Sequence, residues 1–181
     1  GDDIDDAFAL YLLLQEKRAK LLGVTTVFRN ASQRAKMASF LISTFKKKVP
    51  VYAGCDEPLI AKVKNLIPPE IQAKETKDKF GKYYIPQFMG FMEDAHIEKK
   101  HAVDFIIESI HKYPHEVTIF GIGPLTNIAM AIRKDPSIVP LIKEIRIMGG
   151  DPTDINIKEW NIFCDPEAAH IVFDAKVPIY E

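Results

Sequence analysis

Only two cysteines, Cys55 and Cys164, occur in the 181 residues, and they stand far apart. That pair does not demand a disulfide framework, and it fits no zinc site. Surplus positive charge is also missing. The formal net charge is −1, so nothing electrostatic draws the chain to nucleic acid or to an anionic membrane. No apolar run is long enough to cross a bilayer, and no stretch has the layout of a secretory signal. Repeats and low-complexity tracts are absent as well. Compartment stays open, because the chain opens without Met and inside a motif. We expect residues before Gly1, with a cytoplasmic location as the simplest expectation and a secreted or periplasmic one left open.

What is present is ordinary soluble globular composition, 47% apolar and 27% charged. The length suits one α/β domain over 1–181 with a sizeable core. Its most unusual stretch is the first. Asp2, Asp3, Asp5 and Asp6 crowd into six positions, directly before the greasy run Ala7-Phe8-Ala9-Leu10-Tyr11-Leu12-Leu13-Leu14, which reads as a buried helix. One or two acids there would serve the free N–H groups and the dipole of a helix start. Four repel one another unless a cation is shared, and a hard, oxygen-seeking ion such as Ca²⁺ or Mg²⁺ would resolve the repulsion.

Strand and helix then alternate. Residues 21–28 and 49–54 read as short strands around a helix over 31–45 closed by three lysines. From 55 to about 95 the pattern dissolves into Pro, Gly, Lys and aromatic residues, as in a lid or loop insertion. Regularity resumes with a helix at 102–111, a strand at 117–121, a helix at 124–133 opened by Pro124, and a strand at 144–148. A polar loop is expected up to Cys164. Asp165-Pro166-Glu167 then provides an N-cap, a first-turn Pro and a first-turn acid for a helix, and 177–180 closes as a strand. This predicts an open, mostly parallel sheet flanked by helices, with a Rossmann-like core.

Ligands of such sheets bind beyond the C-terminal ends of the strands. Asn30, the segment from Gly123 to Asn127, Met148-Gly149-Gly150, Glu159 and Asn161 all fall there. Each also has a plain structural reading. Asn30 could end a strand, Thr126 could cap a helix, and Glu159 could be a solvated loop acid. Their shared address is what singles them out. By contrast His96, His101, His111, His115 and His170 sit at no strand end and read as surface or packing residues.

Several of these stretches, in order, resemble the inosine–uridine-preferring nucleoside hydrolases. The similar segments are Asp5-Asp6-Ala7-Phe8-Ala9-Leu10, Val24 to Asn30, Val49 to Gly54, Gly123 to Ala129, Met148-Gly149-Gly150 and, most specific, Glu159 to Ala169. The resemblance implies hydrolysis of the N-glycosidic bond of ribonucleosides to ribose and free base, using a water bound to Ca²⁺. Carried over by motif, Asp5 and Asp6 would hold the metal, with the backbone carbonyl of Thr126 as a further ligand. Asp5, Asn30, Glu159 and Asn161 would bind the ribose, Met148 would line the sugar pocket, and Asp165 would remain a helix cap. The family also implies a homo-oligomer, dimer or tetramer, acting on a small-molecule nucleoside.

Three departures stand out. Two additional residues separate Gly1 from Asp5 relative to the family signature Asp-x-Asp-Pro-Gly-x-Asp-Asp-Ala, so Asp3 competes with Asp5 for the ribose role. The signature's leading Asp, the expected general base, would precede Gly1, and a His-Asp pair acting on the leaving group would follow Glu181. The isolated stretch is therefore expected to be inactive. Arg29 stands where the family usually has Gly. Two other readings remain: a ribose- or nucleoside-binding protein without catalysis, and a metal-dependent phosphatase, for which no phosphate-binding loop is evident.

Overall fold

The computed structural model describes residues 4–60, 85, 87–150 and 158–181. They fall into two units, Gly1–Asp56 with Ile67–Ala102 and Glu57–Leu66 with Val103–Glu181. Both contain an open, parallel sheet with helices, as the alternating pattern predicts.

In the first unit, helix α1 (Asp5–Gln15) leads to strand β1 (Val24–Thr26), helix α2 (Ala31–Thr44) and strand β2 (Val51–Ala53). The strands pair in parallel, Val24 opposite Val51 and Thr26 opposite Ala53, so α2 is the crossover that parallel pairing needs. Leu10 and Leu14 of α1 bury against Ala35 and Ile42 of α2 and Val51 of β2. The Tyr11 and Phe45 rings add a tilted contact at 4.9 Å.

Two expectations need correcting here. The greasy run of α1 is not buried all round: Leu10 and Leu14 face the core, whereas Phe8 and Leu12 are exposed. Helical geometry explains this, since residues four apart share a face and those two apart do not. β1 is also shorter than the apolar run suggests. Phe28 and Arg29 take φ of 75° and 56°, a left-handed conformation that ends the strand.

The second unit holds most of helix α3 (Ala102–Lys112), then strand β3 (Thr118–Gly121), helix α4 (Thr126–Lys134), a 3₁₀ turn (Pro136–Leu141) and strand β4 (Glu144–Ile147). Helices α5 (Trp160–Cys164) and α6 (Pro166–Asp174) precede strand β5 (Ile179–Tyr180). The sheet order is β3-β4-β5, parallel throughout. Ile110, Ile138, Ile145 and Val172 of this unit are fully buried.

α4 begins at Thr126, so Pro124 lies before the helix rather than in its first turn. The expected polar loop up to Cys164 contains α5, which a five-residue helix hides from periodicity. Of the expected loop insertion over 55–95, residues 61–84 and 86 lie outside the described residues, and so do Asp2 and Asp3. Its remainder includes a 3₁₀ turn at Gly90–Met92 and the buried side chains of Ile85 and Phe88. No helix among the described residues is long and apolar enough to cross a membrane.

Candidate functional site

In the first unit the polar residues gather beyond the C-terminal ends of β1 and β2. Asn30 is 5% exposed and caps α2, its side-chain oxygen accepting from the Gln33 N–H at 3.2 Å. The left-handed pair before it is tied to the chain leaving β2. Phe28 N–H donates to the Cys55 carbonyl at 2.7 Å, and Arg29 N–H to the Asp56 carbonyl at 2.5 Å. The Arg34 Nε donates to the Phe28 carbonyl at 3.0 Å. The Arg29 guanidinium lies over the Phe28 ring, 4.7 Å from its centroid. Asp5 and Asp6 occupy the first turn of α1, Asp5 exposed and Asp6 half-buried.

In the second unit, the structure brings Met148, Glu159 and Asn161 together at the C-terminal ends of β3 and β4. The Glu159 carboxylate caps α5. Its Oε1 accepts from the Asn161 N–H at 2.9 Å, and its Oε2 from the Ile162 N–H at 2.9 Å and the Gly150 N–H at 3.3 Å. A side chain on Gly149 would approach that carboxylate to 3.2 Å, and Gly150 takes φ of 97°, a conformation glycine tolerates. Asn161 ties the two strand ends together: its Nδ2 donates to the Ile122 carbonyl at 3.3 Å and to the Met148 carbonyl at 2.8 Å. Met148 itself is 51% exposed. Neither Glu159 nor Asn161 is a loosely solvated loop residue. Both are locked by backbone partners, which is the condition for a preorganised polar site.

Thr126, 2% exposed, does not act as a cap. Its hydroxyl donates to Asp165 Oδ2 at 2.5 Å. Asp165 is the expected N-cap of α6, accepting from the Ala168 N–H at 3.1 Å, but it also accepts from the Leu59 N–H at 3.1 Å. Sequence reasoning sees only the cap, because both other partners are distant in the chain. All five histidines are exposed, as their positions predict.

The carboxylates held below their ordinary range lie elsewhere, on surface pairs. Hydrogen bonds from Arg18 hold Glu16 at about 2. Asp135 is lowered by Ser137 and His111, and Glu144 mainly by Arg146.

Adjacent carboxylates at Asp5 and Asp6 in the first turn of α1 offer oxygen donors only, the chemistry a hard divalent cation accepts. Among the described residues, no three His, Cys, Asp or Glu side chains cluster as a ready-made metal site.

Residues 1–180 match the family described as inosine-uridine preferring nucleoside hydrolase. The chain belongs to this family. It is 37% identical over 180 residues to an inosine-uridine preferring nucleoside hydrolase of Leishmania major, covering 94% of this chain and 54% of that protein. A pyrimidine-specific ribonucleoside hydrolase of Escherichia coli is 34% identical, with 97% of this chain and 54% of that protein covered. Among solved structures, a plant nucleoside hydrolase superposes with a TM-score of 0.78 at 27% identity, covering 98% of this chain and 56% of that one. The chain therefore spans about half the length of the curated nucleoside hydrolases it matches.

Proposed function

We propose that the protein hydrolyses the N-glycosidic bond of ribonucleosides, releasing ribose and the free base. The observation that carries this is the fixed Glu159–Asn161–Met148 group at the strand ends of a chain that belongs to the nucleoside hydrolases. Cleavage builds positive, oxocarbenium-like charge on the sugar, as in other glycoside hydrolysis. A carboxylate whose rotamer is already set by three backbone N–H groups stabilises that charge without rearranging as it forms.

The roles follow the family motifs. Asp5, Asn30, Glu159 and Asn161 bind the ribose hydroxyls, and Met148 supplies an apolar wall to the sugar. Asn161, whose amide nitrogen is engaged by two carbonyls, presents its side-chain oxygen as an acceptor. Asp5, Asp6 and the Thr126 carbonyl hold a divalent cation, Ca²⁺ by the all-oxygen donor set. When bound, such a cation supplies Lewis-acid activation of water near neutral pH. The substrate is a small nucleoside, and the protein acts as a homo-oligomer.

Ribose recognition is the testable core. Sites built to hydrogen-bond a hydroxyl reject the analogue lacking it by up to about 10⁴-fold. Inosine, adenosine, uridine and cytidine should release ribose with the full-length protein, and their 2′-deoxy counterparts should be cleaved far more slowly. Equal rates on both series would refute ribose recognition. Tight nucleoside binding without turnover would replace hydrolysis with a binding function.

A further inference from the structure

Asp56 grips the chain on both sides of Asn30. Its backbone carbonyl accepts from the Arg29 N–H at 2.5 Å, and its carboxylate Oδ1 accepts from the Ala31 N–H at 2.7 Å. Between these anchors Asn30 is buried, directly after two residues in left-handed conformation. Non-glycine residues hold such a conformation only where the surroundings over-determine it. Here the surroundings are the Cys55 and Asp56 carbonyls, the Arg34 guanidinium and the Asp56 carboxylate. Thr26 completes the enclosure, its hydroxyl donating to the Ala31 carbonyl at 2.7 Å.

We propose that Asp56 is a positioning residue for Asn30, its carboxylate setting where the first turn of α2 begins and so where the Asn30 side chain is presented to the ribose. This rests on the ribose-binding reading of Asn30. In this role Asp56 supplies an acceptor at a fixed place, because the Ala31 N–H it receives is a neutral amide.

Three variants of the full-length protein separate position from charge. Asp56→Asn keeps an oxygen at the same distance and should retain kcat/KM within about threefold, whereas Asp56→Ala, which removes it, should lose on the order of 10- to 100-fold. Asp56→Glu keeps the charge but moves the oxygen by one methylene, and should fall with Ala rather than with Asn. Nucleoside affinity measured by calorimetry should follow the same order, giving a readout that needs no turnover.

Asn30→Ala is the control for the underlying reading. If it changes neither turnover nor affinity, Asn30 does not bind ribose and the positioning role falls with it. If Asn30→Ala loses affinity while Asp56→Ala and Asp56→Glu match the wild type, only the positioning role is overturned. Loss in Asp56→Asn equal to that in Asp56→Glu overturns it too, and this pair decides the matter even where Asp56→Ala fails to fold.

Discussion

The Thr126 hydroxyl donates to the Asp165 carboxylate at 2.5 Å, with Thr126 2% and Asp165 0% exposed. A carboxylate so deeply buried is tolerable only when its oxygens are satisfied, and here three donors from three segments converge on it. The bond fixes the start of α4 against the start of α6.

Removing the acceptor should therefore be costly. Asp165→Ala deletes a helix cap and strands a buried hydroxyl and an N–H, so we expect a loss of about 3 kcal/mol in unfolding free energy. Thr126→Val leaves the carboxylate one donor short and should cost about 1–3 kcal/mol. Urea denaturation of both single variants and the double variant checks this. The double variant should fall short of the sum, because the two residues share one bond.

Glu159 gives a prediction about rate rather than stability. Glu159→Gln places an amide nitrogen against backbone N–H groups that the carboxylate now receives, and should lower kcat/KM on the order of 100-fold. Gly149→Ala should produce a smaller loss of the same kind, since its Cβ would stand 3.2 Å from Glu159 Oε2 and from Ile162 Cδ1. Steady-state kinetics on the best nucleoside, with melting temperature as the control, separates displacement of the carboxylate from unfolding.

A pH-dependent contribution to stability comes from Asp135. Ser137, through its hydroxyl and its N–H, and then His111 at 2.8 Å hold its carboxyl below the ordinary value of 3.8. A carboxyl depressed in the folded state stabilises above its unfolded pKa, and that contribution fades as pH falls through the folded value. Asp135→Asn should thus melt lower than the wild type at pH 7, and the two should converge in acid below 3.8. Thermal melts across that range test the sign.

The parallel α/β class was legible because β-branched runs and helical spacing alternate cleanly. So were the cap at Asp165 and the first-turn Pro166, where the signal is local. Helix α5 was not, because five residues carry no periodicity. The early end of β1 escaped for a different reason: Phe28 and Arg29 are poor candidates for left-handed backbone, and only the carbonyls of Cys55 and Asp56 make that conformation hold. The candidate site divides in the same way. Motif positions such as Asn30, Glu159 and Asn161 stand out in sequence. The residues that fix parts of it, Asp56 and Asp165, act through partners 25 to 106 positions away, a separation that no local pattern records.

The most direct measurement is ribose release by the full-length protein from a nucleoside panel, with and without Ca²⁺ chelation, beside Asp6→Ala. Hydrolysis that is lost on chelation, restored by added Ca²⁺ and abolished in Asp6→Ala is the expected result. Hydrolysis indifferent to both the chelator and Asp6→Ala would contradict a cation held by the acidic first turn of α1.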